Sequence, residues 1–246
     1  MEDIIELTNL PFFNEHECLE IIKYIEEKEN YLKQNLKDEF DKRNKIHQKH
    51  QQMLYGKNDE TSSYMNHTTR LHNYYNFFED NPKYISRLEK ILKNKFPRLN
   101  YPLIVQSWAN FYKKNQNIKW HKHSRYPSHN LKGLTLNIFI GGDENLGITY
   151  AFPYKDRPRY KYHHEKNKLG HIQIVDSNIY HMVKSNNSDQ KRYTIGMTIT
   201  EFDIRQSKSF IYDSAFCDDA LILFDDKTLY EIGIHDEKKR NLFNYS

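Results

Sequence analysis

The sequence predicts a mainly β protein, a sandwich or jelly roll braced by helices at its N-terminal end. Two observations carry this. Apolar residues recur at steps of three and four before Pro97 and at steps of two after Pro102. Between residues 103 and 200, seven or eight short strand-like runs are separated by turn residues.

The elements follow in order. Asn14 and Glu17 have the spacing of a capping box, and Leu19, Ile22 and Ile25 then recur as on a helix. The pattern continues through Leu32, Leu36 and Phe40, then fades into a polar, basic stretch from Lys42 to Lys57 that reads as a solvated helix end or an insert. Asn81-Pro82 reads as an N-cap with proline at the first helical position, and Ile85, Leu88, Ile91 and Leu92 form the buried stripe behind it. Strands are expected over Leu103 to Tyr112, Ile118 to His123, Leu134 to Ile140, Gly147 to Phe152, Gly170 to Val175, Ile179 to Lys184 and Arg192 to Thr200. Gly141-Gly142-Asp143 is a turn. Pro153 to Lys168, basic and rich in Tyr and His, is expected to be a mobile loop that acts as a lid. Ala220 to Phe224 and Thr228 to Ile234 read as two further short strands.

A chain of 246 residues has room for one domain with a sizeable core. Its mean hydropathy of −0.93 is low, but an aromatic share of 14% separates it from disordered sequences. The net charge of +4, with lysines spread along the chain, falls short of a basic patch. Nucleic acid is therefore kept open as a partner and not favoured. Cys18 and Cys217 form no metal or redox motif and read as free thiols in a reducing compartment. No leader pattern opens the chain and no apolar run approaches the roughly 20 residues of a membrane span. A cytoplasmic protein without a membrane partner is the expectation.

Chemistry concentrates in two segments. Trp120-His121-Lys122-His123 places two imidazoles at i and i+2, hence on one face of a strand, and His181 lies on a later strand that a jelly roll can bring alongside. Against this stands the plain reading of surface histidines in a chain that has 13 of them. Eleven residues after His181 comes Arg192, which shares a strand face with Thr194, Gly196, Thr198 and Thr200, while Tyr193, Ile195, Met197 and Ile199 form the apolar face. An arginine pointing into a barrel needs a partner, and a carboxylate-bearing cofactor supplies one through a bidentate fork. The plain alternative is an arginine at a strand edge that reaches water. His129, His163, His164 and Asp176 are weaker candidates for roles around the site.

Trp108-x-Asn110-x-Tyr112, His121-x-His123, Gly133, Gly170, His181 and Arg192, in this order and spacing, resemble the Fe(II)/2-oxoglutarate-dependent dioxygenase superfamily, including its prolyl-hydroxylase-like and phage- or microbe-associated branches. The resemblance covers Gln106 to Thr200. It implies a double-stranded β-helix (jelly roll) core over residues 101–201, with a supporting helical region over 1–100 and a C-terminal extension over 202–246. It implies that His121 and His181 are iron ligands, with His123 standing where most members have Asp or Glu. It implies that Arg192 grips the distal carboxylate of 2-oxoglutarate with help from Thr194, that Tyr112 and Asn137 line the cosubstrate pocket, and that O2 is consumed. The expected activity is hydroxylation of an unidentified peptidyl or small-molecule substrate. Three readings stay open. An acidic side chain outside the motif could complete the metal site. The chain could be a cupin-like three-histidine metalloprotein, thiol dioxygenase-like or a zinc hydrolase, that uses no 2-oxoglutarate. Or it could be a non-catalytic binding module on the same scaffold.

Overall fold

A computed structural model describes residues 6–35, 69–70, 77–100, 102–123, 133–154, 157–201 and 221–223. The expectations for Leu36, Phe40, the basic stretch 42–57, His129, Cys217 and the strand 228–234 fall outside these residues.

The capping box forms. Asn14 Oδ1 accepts from the Glu17 amide at 2.8 Å, and Glu17 Oε2 accepts from the Asn14 amide at 2.9 Å. This starts helix α1, Glu15–Asn35. A short helix α2, Phe77–Asp80, and α3, Ile85–Lys95, follow. Asn81 does not cap α3 as the sequence suggests. A 3-10 turn over Pro82–Tyr84 leads into that helix, and the Asn81 amide instead closes α2 by donating to the Phe77 carbonyl. Leu88 and Leu92 of α3 are fully buried, as the helical stripe requires.

Eleven strands are described: β1 Thr8–Pro11, β2 Thr69–Arg70, β3 Leu103–Tyr112, β4 Ile118–His121, β5 Gly133–Gly141, β6 Ile148–Pro153, β7 Tyr160–Glu165, β8 His171–Asp176, β9 Tyr180–Val183, β10 Arg192–Glu201 and β11 Leu221–Leu223. They form two antiparallel sheets. The larger runs β1-β8-β5-β10-β3-β11, with β2 also paired to β3, and the smaller runs β4-β9-β6-β7. Strands close in sequence alternate between the sheets, which is the winding of the jelly roll.

Period-2 alternation gives the larger sheet two unlike faces. One carries Val105, Ala109 and Phe111 of β3, Leu134 and Ile138 of β5, Ile172 and Ile174 of β8, and Ile195, Met197 and Ile199 of β10. These pack with Ile21 and Ile25 of α1, Leu88 and Leu92 of α3, and a cluster of edge-to-face rings at Phe12, Phe13, Phe77 and Phe78. The other face meets the smaller sheet through a thinner apolar layer of Tyr112, Val175, Ile118, Ile148, Tyr150 and Val183. Cys18 is a free thiol in the helix-side core, and burial pushes it up to about 11.

Two parts differ from the sequence reading. The expected lid is a hairpin. Its return strand β7 pairs with β6 from Pro153↔Tyr160 to Ile148↔Glu165. Five of the six β7 residues are exposed, so no apolar alternation marks it as a strand. Glycine 170 does not open a strand. It turns at φ +71°, donates to the Phe139 carbonyl at 2.9 Å, and its own carbonyl accepts from Phe12 and Phe13. A Cβ there would lie 2.0 Å from the Phe13 carbonyl oxygen, so no other residue fits.

Candidate metal centre

The cleft between the sheets is built on the inward residues of β3, β4, β5, β6, β9 and β10. His121 on β4 and His181 on β9 are direct cross-strand partners. His123 lies two residues beyond the end of β4, held by a bond from its amide to the Ser177 carbonyl. The candidate ligand nitrogens of these three rings all lie within 4.8 Å of one another. Ring centroids are 4.2 Å apart for His121–His181, 5.1 Å for His121–His123 and 5.2 Å for His123–His181. Among the described residues, this group contains no carboxylate and no thiolate.

Local backbone fixes two of the rings. His121 Nδ1 lies 2.8 Å from the Lys119 carbonyl oxygen, and His181 Nδ1 lies 3.1 Å from that of Ile179. A carbonyl only accepts, so Nδ1 carries the proton in both neutral rings and Nε2 carries the lone pair. This outer-shell contact sets the tautomer of histidines that bind metal. His123 Nδ1 meets Thr198 Oγ1 on β10 at 3.2 Å, and Trp108 on β3 stacks on its ring at 5.8 Å. Gly196 makes that stacking possible, because a Cβ there would sit 2.6 Å from Trp108 Nε1. The donor set suits a divalent transition metal.

The cleft has an interior volume of about 40 Å³ and is lined, beside the histidines, by Asn110, Tyr112, Thr135, Asn137 and Tyr150. Tyr112 and Asn137 thus stand in its wall. Arg192 lies behind Tyr112, at the start of β10. It is fully buried, with its guanidinium 4.9 Å from the Tyr112 ring and 5.9 Å from that of Phe139. One donor, Nη2, reaches Asn167 Oδ1 at 3.2 Å, while Nε and Nη1 have no hydrogen-bond partner among the described residues. Burial pushes its pKa down, and the Tyr112 and Tyr150 hydroxyls act the other way. A guanidinium remains charged regardless. Thr194, one step along the same face, is buried against Asn110, with Oγ1 3.4 Å from Asn110 Nδ2, and does not line the cleft. The unpartnered buried atoms Asn110 Oδ1, Thr135 Oγ1 and Asn137 Nδ2 lie on the same wall.

Sequence reasoning passed over Thr135, Tyr150, Asn167 and Gln173. The Tyr150 hydroxyl donates to Gln173 Oε1 at 2.8 Å, and burial raises its pKa. Asn167, which orients Arg192, sits just after β7 in the segment read as a loop. Thr135 could have been found from its alternation with Leu134 and Leu136. Nothing in the spacing marks Asn167. His163 and His164 lie away from the cluster on the exposed hairpin, bonded to Glu165 and Thr149. Asp176 bonds the Asn178 amide in a turn and orients no histidine.

No protein-family model matches the chain, and no curated protein matches it in sequence. Solved structures do match in fold. The viral collagen prolyl hydroxylase of Paramecium Bursaria Chlorella virus-1, in its 2-oxoglutarate complex, is 10% identical, with 80% of this chain and 96% of that one covered at a TM-score of 0.50. HygX from Streptomyces hygroscopicus, with nickel and 2-oxoglutarate bound, is 10% identical over 79% of this chain and 82% of its own, at a TM-score of 0.47. EvdO2 from Micromonospora carbonacea var. aurantiaca is 12% identical over 54% of this chain, which spans 66% of its length, at a TM-score of 0.44. Among the described residues no helix is long and apolar enough to cross a membrane. By fold the chain is a double-stranded β-helix protein of the kind that its resemblance to the 2-oxoglutarate-dependent dioxygenase superfamily implied.

Proposed function

We propose that the chain is an Fe(II)- and 2-oxoglutarate-dependent oxygenase, in its simplest form a hydroxylase. His121, His123 and His181 would hold the metal, and Arg192 would bind the distal carboxylate of 2-oxoglutarate. The observation that carries this reading is Arg192 itself. A buried cation with two unsatisfied donors is costly to keep, and it stands behind the wall of a cleft that holds three clustered histidines. A dicarboxylate with one end at the metal and the other at Arg192 answers both features.

The bound metal would supply the centre at which 2-oxoglutarate and O2 react to oxidise a C–H bond. The chain's own part is placement. The Lys119 and Ile179 carbonyls keep Nε2 of His121 and His181 as the lone-pair atom. Three imidazoles bring no negative charge, so the dianion of 2-oxoglutarate would neutralise the metal on binding, and affinity for the two should be coupled. Asn110, Thr135 and Asn137 offer unpartnered polar atoms along the wall between the two ends. Thr194 assists through Asn110. The apolar flanks Ile118, Ile148 and Val183 exclude water.

The absence of a carboxylate from the histidine group, among the described residues, favours a second reading, the cupin-like metalloprotein that does without 2-oxoglutarate. Anaerobic titration of the iron-loaded chain with 2-oxoglutarate separates the two. A metal-to-ligand charge-transfer band that saturates is expected. Arg192→Ala should weaken that affinity on the order of 30- to several-thousand-fold with iron content unchanged, and Arg192→Lys should recover only part of it. Equal affinity in Arg192→Ala would move the cupin-like reading to first place.

A further inference from the structure

Of the large apolar side chains exposed among the described residues, three gather on one surface: Trp120, Tyr160 and Tyr162. They belong to β4 and the β6–β7 hairpin, on the smaller sheet. On β6, Ile148 and Tyr150 face the cleft, so Thr149 and Ala151, out of phase with them, face outward together with the partners of Ala151, Tyr162 and Tyr180. The rings make one layer there. Trp120 and Tyr162 lie 5.5 Å apart, and Tyr160 and Tyr180 lie 6.2 Å apart edge to face. Beneath them Ala151 is only 4% exposed, while Tyr162 is 65% and Trp120 39% exposed.

The charge of the hairpin is mainly positive. From Pro153 to Lys168 the chain carries six basic residues and two acids, Asp156 and Glu165. Glu165 is engaged by Asn9 and His163. Lys122 lies 5.4 Å from the Tyr180 ring on this face, and Arg157 lies 4.1 Å from the Tyr154 ring at the tip of the hairpin. Flat rings for stacking, in a hairpin where basic residues outnumber acids, complement a chain of flat bases and anionic phosphates. A proline-rich or acidic peptide would match only one of these two features.

We infer that the outer face of the smaller sheet is a docking platform for single-stranded nucleic acid, which makes a nucleic acid the substrate class of the neighbouring cleft. Trp120 and His121 are adjacent on β4, one facing the platform and the other the cleft. The overall charge of +4 hid this, because the cations that matter are concentrated in the hairpin and not along the chain. The substrate assignment rests on the oxygenase reading; the platform does not.

The chain has two tryptophans, one in each place, so fluorescence can read them separately. The test titrates full-length Trp108→Phe, which leaves Trp120 as sole reporter, with an oligothymidylate of about twelve nucleotides. Quenching that saturates is expected. Tyr162→Ala should weaken binding about five- to a hundredfold. Lys122→Ala and Arg157→Ala should each reduce the slope of log affinity against log salt by about 0.7. His181→Ala should bind the oligonucleotide like the parent. The platform is overturned if polyglutamate of matched charge binds as tightly, if Tyr162→Ala changes nothing, or if a tyrosine- and proline-rich peptide competes while the oligonucleotide does not. Loss of oligonucleotide binding with intact 2-oxoglutarate titration would count against the platform alone, and the reverse result against the oxygenase reading alone.

Discussion

The two faces of the larger sheet are made from the same strands and differ in almost every physical respect. The face toward the helices holds aliphatic and aromatic side chains packed against Ile21, Ile25, Leu88 and Leu92. The face toward the smaller sheet holds Asn110, Thr135, Asn137 and Arg192, all with polar atoms that lack a partner among the described residues. Alternate residues of β10 serve opposite purposes: Ile195 and Met197 stabilise, while Gly196 lines the cleft, Thr198 holds His123 and Arg192 stands behind the wall. Stability gained on one face offsets unsatisfied groups on the other. That division predicts that the two faces respond in opposite ways to substitution.

The largest separation should come from the histidines. His121→Ala or His181→Ala should abolish stoichiometric metal binding, measured by elemental analysis, while the metal-free chain keeps its stability within about 1 kcal/mol, since the bond of each ring to its local carbonyl is modest. Retention of a full equivalent of metal in both variants would disprove the ligand set. On the opposite face, Leu88→Ala should lower unfolding free energy by about 2–5 kcal/mol through a cavity in the helix-side core, with metal affinity unchanged. A drop in metal affinity there would mean that the faces are not independent.

Arg192 sharpens the comparison, because its substitution should move function and stability in opposite directions. Arg192→Met fills similar volume and removes a buried charge that makes one hydrogen bond of 3.2 Å. Urea unfolding of the metal-free chain should show a gain of about 1–3 kcal/mol, as when other buried charges are replaced by apolar groups, while 2-oxoglutarate binding is lost. A variant destabilised by several kcal/mol would show that Arg192 is a structural residue.

How much of this was legible in the sequence follows the same division. Strands such as Leu103–Tyr112 and Arg192–Glu201 were readable because one face is apolar but for Ser107 and Glu201, and the alternation puts Arg192 and Thr198 on the polar side. The meeting of His121, His123 and His181 was foreseeable from the i, i+2 spacing and a later strand. The hairpin strand Tyr160–Glu165 was not, since a strand exposed on both faces leaves no alternation to read. Strand Thr8–Pro11 was too short to show a period and pairs only with the edge of the larger sheet, at β8. Asn167 was invisible for a different reason: its contact with Arg192 spans 25 residues and depends on the hairpin that the sequence concealed.

The smallest effect belongs to the N-terminus of α1, where the helix side is fastened by charge. Glu17 bonds the Asn14 amide as part of the capping box and meets Arg87 of α3 at 2.8 Å and 2.9 Å, so one carboxylate joins two helices. The Arg87 guanidinium holds the Glu17 carboxyl below its ordinary value, helped by the Asn14 amide and opposed by burial. A lowered folded-state pKa means that the stabilisation is complete above the unfolded pKa and is lost as pH falls through the folded one. Arg87 is 40% exposed, so solvent screens the pair and the contribution is small. Glu17→Gln should therefore lower stability by about 0.5–1 kcal/mol at pH 7, measured by urea unfolding. At acid pH, below the ordinary carboxylate range, the difference between parent and variant should shrink as the parent carboxyl is protonated. A difference of the same size at both pH values would assign the effect to the shape of the cap and not to its charge. Metal affinity at pH 7 should not respond to Glu17→Gln, since this contact lies on the face that only stabilises.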